Sequence, residues 1–141
     1  MSDDQNTIYT FDYFINSWQD ASQEMKDIFI ELKEYLEQME GVSFDFKGRA
    51  GISYSLRAKH DNQKDRELFA MIDVIDDDPE NRWLSICFYG DLITDPDDVG
   101  DLVPEGLLGE DAHCFDLYEP DAGEVSYLKE RLKEACINAS K

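Results

Sequence analysis

Few side chains in this sequence are spaced for chemistry. Ser126 and Lys129 have the Ser-x-x-Lys spacing of penicillin-binding enzymes, but the companion motifs are missing. His113 and Cys114 are neighbours. In a strand, adjacent side chains point to opposite faces, so these two cannot form a dyad with each other. His60 falls in a polar stretch and has no sequence-local partner. Asp95, Asp97 and Gly100 fit positions one, three and six of a calcium loop. Val99 stands at position five and Gly106 at position twelve, where a bidentate Glu is required. Gly106-Leu107-Leu108-Gly109 has the G-x-x-G outline of an RNA-clamping loop, yet the flanking acids would repel a phosphate backbone. Walker A, G-x-G-x-x-G and Cys-x-x-Cys motifs do not occur. No catalytic residue, metal site or cofactor is assigned on these grounds, and a non-enzymatic protein is the expectation.

Charge says more than motifs. The 141 residues carry 33 acids and 13 bases, a net charge of −20. Such a surface argues against nonspecific nucleic-acid binding and against anionic membranes. The bases are not spread evenly. Residues 42–68 hold six of them against four acids, whereas residues 69–123 hold sixteen acids and one base. Lys47, Arg49, Arg57 and Lys59 therefore form a candidate anion-binding group on an acidic body. Internal pairing with surrounding acids is the competing reading, since surface ion pairs are common and weak.

The elements that would position these groups follow from periodicity. Residues 8–18 are rich in apolar and aromatic side chains, and Thr10 could cap a short helix there. Met25, Ile28, Phe29, Leu32, Tyr35, Leu36 and Met39 make one helical stripe, with Ser22 as a possible N-cap and Gly41 after the last turn. Alternation then takes over. Strands are expected at 42–47, 52–59, 68–75, 83–89 and 113–118, with residues 90–112 a long acidic loop. Asp121 and Glu124 frame a capping box before a final helical stripe at Val125, Leu128, Leu132, Ala135 and Cys136. Short connections favour antiparallel pairing, and two amphipathic helices need one apolar sheet face. The expectation is a single two-layer α+β domain: an antiparallel sheet of about five strands with two main helices on one face. Residues 1–7 are expected to be loose, 8–20 to be a covering segment and 22–138 to be the core.

Strand parity assigns the other face of the sheet. If Phe44, Ile52, Tyr54, Leu56, Leu84, Ile86, Phe88, Phe115 and Leu117 meet the helices, then Ser53, Ser55, Arg57, Trp83, Ser85, Cys87, Tyr89, Cys114, Asp116 and Tyr118 lie opposite. Phe69, Met71 and Asp73 join them if Asp73 is kept out of the core. Arg57, Met71, Asp73, Trp83, Tyr89 and Asp116 form a candidate ligand or partner face. A surface this aromatic calls for a cover: residues 8–18, a second copy of the chain, or a ligand. Both monomer and homodimer fit the pattern.

The hairpin Phe46-Lys47-Gly48-Arg49-Ala50-Gly51-Ile52-Ser53-Tyr54 resembles the first hairpin of small uncharacterised bacterial proteins of the YdhG-like group. The run 83–90, the segment Gly106-Leu107-Leu108-Gly109-Glu110-Asp111 and residues 127–135 resemble the rest of such a domain. The resemblance implies the helix, antiparallel meander, helix layout and a bacterial cytoplasmic setting, and no catalytic residue. The wide spacing and odd count of Cys87, Cys114 and Cys136 fit reduced, buried thiols, and residues 1–6 lack the features of a signal peptide. The sequence therefore leads to an acidic binding or interaction module for an unknown protein or small molecule. A small-molecule site or enzyme on the second sheet face is the alternative. A DNA mimic, with carboxylates standing in for phosphates, is a further one.

Overall fold

In a computed structural model of the chain, residues 10–19 and 21–141 are described. Three helices, α1 (Phe11–Ser17), α2 (Gln23–Glu37) and α3 (Ala122–Ala139), accompany six strands. The strands are β1 (Val42–Arg49), β2 (Ser53–His60), β3 (Ala70–Ile75), β4 (Trp83–Tyr89), β5 (Asp101–Leu107) and β6 (Glu110–Leu117). All neighbours are antiparallel, in the order β1-β2-β3-β4-β6-β5. The α+β class and two-layer arrangement expected from the periodicity are present. The sixth strand is a correction. β5 lies within the stretch read as a loop, because Pro104, Gly106 and an exposed outer row hide its alternation.

Two of the three helices, α1 and α3, begin at a capping side chain. Thr10 Oγ1 accepts from the Tyr13 amide, and Asp121 accepts from the Glu124 amide. Ser22 does not cap: it lies in the left-handed region at φ 57 and its hydroxyl donates to the Glu80 carbonyl. Gly41, at φ +83, takes the left-handed turn into β1. The stripes of α2 and α3 then meet the inner sheet face. Phe29, Leu32, Leu36, Leu56, Ile72, Val74, Leu84, Ile86 and Leu132 are at most 1% exposed. No helix among the described residues is long and apolar enough to cross a membrane.

Residues 11–18 dock, but on the inner side. Phe14 and Trp18 are each 1% exposed and belong to the helix-side core. Phe14 stacks on Tyr54 at 3.9 Å and lies 5.8 Å from Phe46 and 6.2 Å from Phe29. The expectation that this segment covers the second face is thus overturned: its aromatics fill the gap between α2 and the β1–β2 hairpin. Ile8, Tyr9 and residues 1–7, for which looseness was the expectation, lie outside the described residues.

Two charged groups fasten the same corner. Arg82 Nε donates to Asp76 Oδ1 at 2.7 Å, and the Gly51 amide donates to Asp76 Oδ2 at 2.9 Å. The guanidinium stands over the rings of Phe14, Trp18 and Tyr54. Gly51 itself has φ +82, which the tight turn after Arg49 demands. One buried ion pair therefore sets the position of the hairpin that carries Lys47 and Arg49. Ile52, expected in the core, lies in this turn and is 55% exposed.

Candidate functional site

The outer sheet face can be read as rows from the strand register. One row runs Lys47, Ser55, Asp73, Ser85, Asp116 across β1, β2, β3, β4 and β6. The next runs Asp45, Arg57, Met71, Cys87, Cys114, and on the other side stand Arg49, Ser53, Ile75, Trp83. Met71 and Asp73 thus face outward, as the alternation of β3 required. Phe69 does not: it precedes the strand and enters the inner core, while Leu68 packs outward with Tyr89, Leu107 and Ala112.

At the β1–β3 end of this face is a cleft of about 600 Å³. Its lining includes Lys47, Arg49, Ser55, Arg57, Met71 and Asp73. Two groups singled out separately from sequence, the cations and the Arg57–Met71–Asp73 face, are brought together here. The pairing of β1, β2 and β3 brings these outer side chains to the one cleft. Ser55 is buried at 6% exposure, and its hydroxyl accepts from Arg57 Nε at 3.4 Å. Lys47, Arg49 and Arg57 make no ion pair within 4 Å with any of the described residues. Asp73 Oδ1 has no accessible surface and no hydrogen-bond partner among them. Burial pushes the Asp73 carboxyl above its ordinary value, against the Ser55 hydroxyl and the charges of Arg57 and Arg49.

The remaining candidates lie elsewhere. Lys59 pairs with Asp45 at 3.2 Å and stands outside the cleft. Trp83 packs at a tilt against Tyr118 with ring centres 4.6 Å apart, and Asp116 accepts from the Tyr118 hydroxyl at 3.3 Å. Both belong to the opposite end of the face. Tyr89 is corrected outright: it is 2% exposed, in a small second core beneath Arg66. The Arg66 guanidinium lies 4.0 Å from the Tyr89 ring and is gripped by Asp91 at 2.8 Å and Glu110 at 2.7 Å. For Arg66, as for Lys59, internal pairing is the outcome.

Cys87 and Cys114 also depart from expectation. They face each other across β4 and β6 with Cα atoms 4.1 Å apart and are joined in a disulfide. Their approach resembles that of a non-hydrogen-bonded pair, where side chains meet most closely. The reduced-thiol reading holds for neither. Disulfides persist in oxidising compartments and are rare in a reducing cytosol, which pulls against the cytoplasmic setting expected above. Cys136 is free and buried on α3.

The acid-rich window around Asp95 has a structural task that sequence reasoning missed. Asp95 accepts from the Val99 and Gly100 amides, from the Tyr127 hydroxyl and from His113 Nε2 at 2.9 Å. Burial pushes its carboxyl up. The hydrogen bonds from Tyr127, Gly100, Val99 and His113 outweigh that and hold it at about 2. Its oxygens point inward at these donors. Among the described residues no group of three or more His, Cys, Asp or Glu side chains is placed to hold a metal ion. Chain separations of 18 and 32 residues left no local signal for this cluster.

Compared with protein-family models, with curated proteins and with solved structures, the chain has no match.

Proposed function

We propose that the chain is a non-enzymatic binding module whose working surface is the outer-face cleft, and that the cleft takes a small ligand bearing a carboxylate or phosphate group. One observation carries this reading. On a body of net charge −20, Lys47, Arg49 and Arg57 converge on one cavity and have no ion partner within 4 Å among the described residues, although acids outnumber bases by 33 to 13. Arginine is the side chain best suited to planar, two-point recognition of such groups. The volume lies within the range of small-molecule sites. Long-range attraction is not available to this protein, because the net field repels anions. Recognition must come from contact within roughly a Debye length, about 10 Å at 0.1 M salt.

Binding is favoured over catalysis because the lining holds no histidine or cysteine. A groove of about 450 Å³ between α2 and α3 is a poorer candidate. Its acids Glu24, Asp27 and Glu31 outnumber its one cation, and Lys129 is already held by Glu31 at 2.5 Å. The YdhG-like resemblance bears on layout alone and adds no ligand.

The test is a low-salt titration of the full chain with inorganic phosphate and with glutarate, followed by backbone amide shifts. Saturable shifts at Lys47, Arg49, Ser55 and Arg57 are expected, and the double variant Arg49→Gln/Arg57→Gln should weaken binding at least about tenfold. Shifts spread over the surface, or a double variant that binds as well as the parent, would reject the cleft.

A further inference from the structure

Resting on that reading of the cleft, the geometry points to a zwitterionic ligand: one whose anionic group meets Arg49 and Arg57 and whose ammonium or guanidinium group meets Asp73.

The argument begins with the alternation of β3. Ile72 and Val74 face the helices, so Asp73 must face the cleft, between Ser55 on β2 and Ser85 on β4. A carboxylate removed from water without donors is unfavourable, and native structures rarely leave one so. Asp73 nevertheless lines the cleft with the Ser55 hydroxyl as its side-chain donor and with Oδ1 buried and unpartnered among the described residues, so a ligand's cation meets the carboxyl from the cleft side. Serine at 55 cannot supply the missing counter-charge, and the two arginines influence Asp73 through space without reaching ion-pair distance. An acid whose donor is a neutral hydroxyl, beside cations without an ion partner, describes the two poles of one missing molecule.

The spacing limits its size. Arg57 is one strand from Asp73 and Arg49 two, which is roughly 5 and 10 Å between backbones. Long side chains at the cationic end shorten these gaps, so the complementary molecule is the size of an amino acid or a small amino-phosphate. Met71 lies next to Asp73 on the same face, and its unbranched side chain adapts easily to an entering group. A purely anionic ligand would satisfy Arg49 and Arg57 but would bring like charge toward Asp73. A purely cationic one would meet three positive side chains first.

Matched probes separate these cases: acetate with glycine, glutarate with glutamate, and phosphate with phosphoethanolamine. Each is titrated into the full chain at low salt and followed by amide shifts of the cleft residues. The amino-bearing member of a pair should bind about tenfold more tightly, and Asp73→Asn should erase the difference between the members of each pair. The preference in the unaltered chain is informative even if that variant folds poorly. Anions that bind with no preference for the amino-bearing partner would overturn the zwitterion and leave the anion site standing. No cleft-specific binding by any probe would overturn both.

Discussion

Asp73 and Asp76 are three residues apart, yet they live under opposite rules. Asp76 continues the inward parity of Ile72 and Val74. Both of its oxygens are taken, by Arg82 and by the Gly51 amide, and three aromatic rings close over the arginine. Asp73 points outward, and one of its oxygens finds nothing among the described residues. The same contrast separates Arg82 from Arg49 and Arg57. On the inner face a charge is admitted only with its partners in place, because an unpaired buried ion would unfold the protein. On the outer face, the charges of both signs that line the cleft stand close without pairing, while Lys59 and Asp45 beside it are paired. Asp76 has both oxygens held, whereas Asp73, which lines the cleft, has Oδ1 open; Gln63 Oε1, Arg131 Nε and Glu134 Oε1 are open too, so it is the cleft and its unpaired cations that single Asp73 out.

The strongest way to break this contrast is to unpair the inner face. Asp76→Ala should lower stability by about 3–5 kcal/mol, since it strands Arg82 among aromatic rings and frees the Gly51 amide. Chemical denaturation measures it. Replacing both partners by apolar residues, Asp76→Leu with Arg82→Met, should recover much of the loss. A loss below about 1 kcal/mol for the single variant would show the pair to be peripheral.

Next in size is the disulfide, which crosses the far end of the outer face. Closing 27 residues of chain restricts the unfolded state by about 3.5 kcal/mol in the chain-entropy description. Dithiothreitol should therefore lower the denaturation midpoint, and the Cys87→Ala/Cys114→Ala variant should be insensitive to it. A midpoint that reductant leaves unchanged would show these thiols to be unbonded in solution.

How far this was legible from sequence depends on the range of each interaction. The helices were readable because their caps and stripes are local: Thr10 to Tyr13, Asp121 to Glu124, Met25 to Met39. The outward aim of Arg57, Met71 and Asp73 was readable because parity is local too. What failed needed register or distance. Cys87 and Cys114 were placed on one face, but β5 intervenes in the chain, so nothing local set β6 against β4 in that alignment. Tyr89 has the right parity and is still unavailable, because Arg66 arrives from a loop 23 positions earlier. In the described part of residues 8–18, Phe14 and Trp18 are buried, as expected of anchors, while Tyr13 is exposed. Which apolar surface would take them depended on a gap between α2 and the hairpin that no single segment encodes.

A third contrast concerns Asp95, an acid with four donors. Its native carboxyl lies at about 2 and an unfolded one near 3.9. The folded value is the lower, so the stabilisation is full above the unfolded value and is lost as pH falls from about 4 toward 2. Asp95→Asn should cost about 1–3 kcal/mol at neutral pH through loss of charge-assisted hydrogen bonds. It should also flatten the stability profile between pH 4 and 2. An acid limb identical to the parent's would assign that region to other carboxylates.

The smallest expected effect has the opposite sign. Asp73 has its carboxyl pushed upward in the native state by burial. A raised acid is the reverse of the Asp95 case: ionisation opposes folding, so the penalty is present at neutral pH and is relieved as pH falls below the native value. Asp73→Asn removes the charge while keeping the shape, and its amide can accept from Ser55 and turn its own donors toward the cleft. The melting temperature should rise by about 3 °C at neutral pH. That gain should shrink on acidification, as the parent's own carboxyl becomes neutral. Stabilisation by removal of a polar group is the signature of a position kept for binding at some expense to the fold. Asp76→Asn, three residues on, should do the reverse and lower the melting temperature at neutral pH. If Asp73→Asn were destabilising too, Asp73 would be a structural acid like its neighbour, and the division between saturated inner charges and open outer ones would fail at the residue that defines it.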